Sequence, residues 1–163
     1  MIFVTVGSQK FQFNRLLKAV DEQVETGQIT DLIFAQIGAS DYKPQHFNYK
    51  DFLDRNEFEK WIDKADIVIT HGGTGAIIGA IKRGKKVIAV ARLEKYGEHV
   101  DDHQMQIIEQ FSERDFICEC QDCNKIAEAI KVVKVKNYKK YESNTSRIIN
   151  SIDIFIRDQS YYN

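Results

Sequence analysis

Asp66-Ile-Val-Ile-Thr-His-Gly-Gly-Thr-Gly-Ala76 is the stretch that decides the architecture. A short apolar run, Ile67 to Thr70, meets a glycine-rich turn, and an apolar-periodic segment with Ile77, Ile78 and Ile81 follows at once. Strand, turn and helix in that order leave backbone N–H groups unshielded at a helix N-terminus, where an anion meets the positive end of the helix dipole. Gly72, Gly73 and Gly75 are expected to supply positive φ and close approach of a ligand to the backbone. His71 lies at the strand's C-terminal edge, where ligands bind in open α/β sheets. A phosphate or diphosphate site fits this turn, and so does a merely tight connection. The glycines do not follow the dinucleotide spacing G-x-G-x-x-G, and no Gly-Lys-Ser/Thr of a Walker loop follows them.

Outward from the turn, strand and helix patterns alternate. Ile2 to Val6 reads as a strand ended by Gly7-Ser8-Gln9, and Leu16, Leu17, Val20 and Val24 recur at helical spacing before Gly27. Leu32 to Ile37 reads as a second strand, and a short one falls near Tyr49 to Leu53. Phe58, Trp61 and Ile62 mark a helix over 57–64. After the motif come a buried strand, Val87 to Val90, a loop to Asp101, and a helix carrying Met105, Ile107, Ile108 and Phe111. Asp101 with Gln104 resembles a capping box. A strand over 116–119 and a helix with Ile126, Ala129, Ile130 and Val133 complete the pattern. Strands alternating with helices predict an α/β fold: a Rossmann-like parallel sheet with helices on both faces.

The chain has 163 residues, room for one such domain, and 43% apolar residues suffice for its core. A formal net charge of −1 argues against a general nucleic-acid binder. No apolar run approaches the ~20 residues of a membrane span. Met1-Ile-Phe-Val-Thr-Val6 lacks signal-peptide features, so a cytoplasmic location is expected. Cys118, Cys120 and Cys123 form a C-x-C-x-x-C cluster with no obvious fourth ligand. Burial explains the cluster more simply than zinc does, and no metal or cofactor is expected. In the tail, Tyr138, Tyr141, Thr145, Ile148, Ile149, Ile152, Phe155 and Ile156 make an apolar stripe at helical spacing. That amphipathic C-terminal helix either packs back on the sheet or serves a partner chain. The expected division is a domain over 1–135 and the helix and tail over 136–163.

A second polar stretch, Arg92-Leu-Glu-Lys-Tyr-Gly-Glu-His-Val-Asp-Asp-His-Gln104, follows the next strand and so lies on the same sheet edge. Its carboxylates and amide suit sugar hydroxyls. His99 and His103 stand four apart but lack the H-E-x-x-H zinc pattern. Three edge loops thus converge: Gly7 to Gln9, His71 to Gly75 and Glu98 to Gln104. Their chemistry suits a phosphorylated, hydroxyl-rich ligand such as a nucleotide sugar.

Val4-Thr-Val-Gly-Ser-Gln9, Asp66 to Gly75, Gly84-Lys-Lys-Val-Ile-Ala-Val90 and Asp102-His-Gln104, in that order, resemble the C-terminal, donor-binding domain of MurG-type glycosyltransferases of family 28. Within that group the chain is most similar to stand-alone donor halves of split enzymes, such as PssE-type exopolysaccharide subunits and the soluble subunit of the dolichol-linked N-acetylglucosaminyltransferase. The resemblance implies half of a GT-B enzyme using a UDP-sugar. It places Gly7, Ser8 and Gln9 beside the nucleotide diphosphate. It makes His71 the catalytic residue, holding the phosphates with Gly72, Gly73, Thr74 and Gly75. It assigns the donor sugar to His103 and Gln104, with Asp102 and Glu98 nearby. The family's ribose-binding Glu, eight residues after the motif His, is Gly79 here.

The resemblance further implies a hexose moved from the UDP-sugar to a lipid-linked saccharide acceptor in polysaccharide biosynthesis. One domain leaves the acceptor site and the general base to a membrane-anchored partner subunit, docked through the C-terminal helix at the inner face of the membrane. The competing readings are a non-catalytic nucleotide-binding regulatory module and a self-sufficient small α/β enzyme, though no Gly-x-Ser-x-Gly elbow supports the latter.

Overall fold

The computed structural model describes residues 1–142 and Ile149. Six strands, β1 (Ile2–Thr5), β2 (Ile33–Gln36), β3 (Asn48–Lys50), β4 (Ile67–Thr70), β5 (Lys86–Ala89) and β6 (Cys118–Glu119), form one sheet in the order β3-β2-β1-β4-β5-β6. Every pairing is parallel. The helices are α1 (Asn14–Glu25), α2 (Arg55–Lys64), α3 (Thr74–Lys82), α4 (His103–Glu113) and α5 (Ile126–Val135). This is the doubly wound Rossmann order, whose direction of winding reverses between β1 and β4.

Alternation along the buried strands separates two cores. Ile2 and Val4, Ile67 and Ile69, and Ile88 and Val90 face one side, where Leu16, Leu17 and Val20 of α1 and Ile126, Ile130 and Val133 of α5 cover them. Phe3, Val68, Val87 and Ala89 face the other, under Ile62 of α2, Ile77 and Ile81 of α3 and Ile108 of α4. On that face Trp61 stacks on Phe34 with centroids 3.7 Å apart, and Phe58 meets Phe3 edge-on at 5.4 Å.

Three local expectations are corrected. No capping box opens α4: Asp102 is its N-cap without a side-chain capping bond, Asp101 Oδ1 accepts from the His103 N–H, and Gln104 turns inward. In the motif turn only Gly72 has positive φ; Gly73 is an extended N-cap and Gly75 is helical. The strand expected over 116–119 shortens to two residues, so Cys120 lies beyond it and is buried with Cys123. The C-terminal stripe beyond Tyr141, apart from Ile149, lies outside the described residues. Tyr138 packs against the first core and Tyr141 against the second, edge-on to Phe116 at 5.7 Å.

Candidate functional site

The winding reversal puts the ends of β1 and β4 side by side, with Thr5 paired to Thr70. The crevice beyond those ends is where such sheets bind ligands. A cavity of about 550 Å³ opens there, lined by Gly7, Ser8, Gln9, His71, Gly73, Thr74 and Gly75, together with Gln36, Leu53, Arg55 and Phe58. The first two edge loops therefore share one cavity. Gly72 is set apart from them: a Cβ there would stand 2.5 Å from Ile108 Cδ1, so this glycine lets the turn close against α4.

His71 sits in a slot between two glycine backbones. A Cβ on Gly7 would stand 2.6 Å from His71 Cε1, and one on Gly73 would stand 2.5 Å from His71 Nε2. The His71 Nδ1 faces the Thr5 carbonyl and the Thr70 hydroxyl, each at 3.4 Å. A carbonyl only accepts, so the Thr5 contact requires the proton on Nδ1 and leaves the Nε2 lone pair towards Gly73. Burial, aided by the Arg92 charge, pushes the His71 pKa down to about 4, so the free imidazole is neutral. Beside it α3 starts at Gly73 without a side-chain cap, leaving its first N–H groups open to an anion.

Several supports were not legible in the linear pattern. Gln36, at the end of β2, donates from Nε2 to the Gly7 carbonyl (3.1 Å) and accepts at Oε1 from the Leu53 N–H (3.2 Å), joining two cavity walls. Leu53, Arg55 and Phe58 arrive because α2 begins beside the winding reversal. Asp54 marked that start, since its side chain accepts from the Glu57 N–H as an N-cap.

The third loop is placed differently from the expectation. Glu98 is 1% exposed, and its carboxylate holds Arg15 through Nε (3.0 Å) and Nη2 (2.8 Å) while accepting from the Leu93 N–H (2.9 Å). It braces the loop and does not line the His71 cavity. Asp102 Oδ1 accepts from the Glu94 N–H, and Gln104 Oε1 from the Arg92 N–H. His103 is exposed at the first residue of α4. His99 lies on Phe11 (4.9 Å between centroids), which joins this loop to the one after β1. Among the described residues no three metal-ligating side chains cluster.

Comparison with known proteins agrees with this fold. Residues 1–155 match the family model described as the glycosyltransferase family 28 C-terminal domain. Over 131 residues the chain is 29% identical to the human UDP-N-acetylglucosamine transferase subunit ALG13, a match covering 74% of this chain and 11% of that protein. Against the Candida glabrata protein of the same name it is 32% identical over 92 residues, 55% of this chain and 44% of that one. The chain thus spans less than half the length of these relatives. The calicheamicin glycosyltransferase CalG4 superposes with a TM-score of 0.62 at 17% identity, over 83% of this chain and 34% of that one. The Methanocaldococcus jannaschii UDP-GlcNAc 2-epimerase, solved with UDP-GlcNAc and UDP, gives 0.63 at 13% identity, over 94% and 45%. These two likenesses concern the fold alone. On the family match, and on a motif turn set at the reversal of a parallel six-stranded sheet, the chain belongs to the family of glycosyltransferase family 28 C-terminal domains.

Proposed function

We propose that this chain is the donor-binding, catalytic component of a UDP-sugar-dependent glycosyltransferase. The observation that carries the reading is the His71 slot beside the uncapped start of α3. A diphosphate in that cavity meets the N–H groups of Thr74 and Gly75 and the positive end of α3, while Gly7, Ser8 and Gln9 border it from β1. Departure of the nucleoside diphosphate from the anomeric carbon builds negative charge on the leaving oxygen, which preorganised N–H donors stabilise without a metal. His71 joins them once a proton reaches Nε2.

The acceptor hydroxyl must lose a proton. With a pKa near 4, His71 Nε2 is too weak a base for that, and among the described residues no other histidine and no carboxylate lines the cavity. In this reading the base and the acceptor are supplied by a second polypeptide. A second subunit is supported by the relatives being named transferase subunits, and a membrane-anchored one presenting a lipid-linked saccharide is the form proposed for it. Among the described residues no helix is long and apolar enough to cross a membrane, in keeping with a peripheral, cytoplasmic component of polysaccharide assembly. The tail after Tyr141 is the proposed docking segment, because Tyr138 and Tyr141 already belong to the two cores. Removing residues 143–163 should abolish pairing and leave a folded domain; retained pairing would refute this part.

Calorimetric titration with UDP and UDP-GlcNAc tests the donor site. Saturable binding that His71→Ala removes supports it, and binding unchanged in the variant overturns it. In transfer assays with the partner present, His71→Ala should lower the rate by ~10² or more, as for a lost oxyanion donor. A regulatory, non-catalytic module is the second reading. It is favoured by Gly79, where open space stands in place of a ribose-binding carboxylate. Sugar transfer by the reconstituted pair excludes it.

A further inference from the structure

Arg92 heads the fully buried side chains by size, with 0% exposure. It follows β5 directly, and its Nη2 donates to the carbonyls of Val6 and Phe11, so the guanidinium spans both ends of the loop carrying Gly7, Ser8 and Gln9. Its Nε and Nη1 are buried and meet no acceptor among the described residues. Burial lowers its pKa to about 10, which leaves it charged at neutral pH. Glu98 acts on it, but that carboxylate is already engaged by both Arg15 nitrogens and by the Leu93 N–H. The Phe13 ring, 5.6 Å from Cζ, offsets the charge only in part. A buried cation whose counter-charge is spent elsewhere destabilises the free protein, and two idle donors add to that.

We propose that Arg92 is a positioning residue for the donor diphosphate: a buried cation that supplies counter-charge from beneath the Gly7 loop and clamps that loop against His71. The inference rests on the donor-site reading and deepens it. Arg92 does not line the cavity, so it acts through what it holds and through its field. The groups bearing on His71 are Arg92, His99, the Thr5 carbonyl and the Thr70 hydroxyl, with Arg55 on the cavity wall. In the free protein burial and Arg92 keep His71 neutral. An arriving diphosphate offsets the Arg92 charge, and His71 Nε2 then takes a proton from water. Nδ1–H stays on the Thr5 carbonyl and Nε2–H turns to the phosphate. Binding is thereby coupled to uptake of one proton, and Arg92 sets that coupling.

Two substitutions separate charge from clamp. Arg92→Gln keeps N–H donors for the two carbonyls but is neutral; Arg92→Lys keeps the charge. Arg92→Gln should weaken UDP-GlcNAc binding by about tenfold or more, the scale of a lost charge interaction at a desolvated site, with Arg92→Lys losing less. In the free full chain, the ring resonances of His71 should titrate at higher pH in Arg92→Gln than in the wild type. Equal losses in both variants, or an unmoved His71 midpoint, would reduce Arg92 to a structural clamp and overturn the proposal. Should Arg92→Gln not fold by circular dichroism, the wild type suffices: calorimetry in buffers of different ionisation enthalpy should show proton uptake on UDP-GlcNAc binding, and none overturns it. If the wild type binds no UDP-GlcNAc, the donor reading falls and takes this inference with it. If His71→Ala abolishes binding while Arg92→Gln binds normally, only this inference falls.

Discussion

The His71 ring and the Gly7 backbone occupy a slot that leaves no room for one further carbon: a Cβ on Gly7, at φ +81°, would come within 2.6 Å of His71 Cε1. A side chain at residue 7 therefore meets two obstacles, a left-handed backbone and a ring held from the other side by Gly73. Gly7→Ala should lower stability by about 1–3 kcal/mol, the range for strain plus overpacking. It should also weaken UDP-GlcNAc binding, because the ring must leave its place. Urea denaturation and calorimetry check both, and wild-type values in each would show that the slot is looser than described.

His71 makes stability depend on pH. Its pKa falls from 6.5 in the unfolded chain to about 4 in the fold, so between those values the unfolded state binds the extra proton. Stability is then unaffected by His71 above pH 6.5 and is lost progressively as pH falls towards 4, by about 3 kcal/mol in total. Denaturation of wild type and His71→Gln across that window measures the difference. Parallel curves would mean that the imidazole is not desolvated in solution.

Glu98 should behave as a brace. Replacing it by Gln leaves Arg15 beside a neutral partner in a largely buried position, at a cost of about 3 kcal/mol. If its work is bracing, the ratio of affinities for UDP-GlcNAc and UDP should stay at the wild-type value. A changed ratio with unchanged melting temperature would instead return Glu98 to the sugar site.

A Cβ added at Gly79 would meet nothing within 4 Å. Gly79→Glu should therefore be accepted in α3 and raise stability by about 0.5–1 kcal/mol through helix propensity alone. If the missing carboxylate limits ribose recognition, the variant should bind UDP more tightly while binding pyrophosphate no better. Equal gains for both ligands would point away from the ribose.

The motif turn was legible because its signal is local. Asp66 to Ala76 carries strand, turn and helix in one run, and the alternation around it is enough for a parallel sheet. Gly7 and His71, 64 positions apart, could be joined in advance because both end strands at the same edge. The bracing contact of Glu98 is not legible in the sequence because its partner is Arg15, 83 residues away, and no linear pattern links them. Arg92 is not legible in the same way because an arginine in a loop reads as solvated; its one sequence signal is its place directly after the apolar run Val87 to Ala91. Gln36 looked like the polar end of a strand, and only the register of β2 beside β1 shows that its amide spans two loops.

The strand order also governs when the site comes into being. β1, β2 and β3 are neighbours within the first 50 residues, yet the other side of β1 stays open until β4 has been made and slips in beside it. The Val6 carbonyl waits longer still, since the Arg92 that grips it lies 86 positions away. Closing such distant pairs is entropically slow, so the His71 pocket should be among the last features acquired on the ribosome. Nascent chains halted before Asp66 should remain protease-sensitive and unable to bind UDP, whereas chains released past Val135 should gain both properties together.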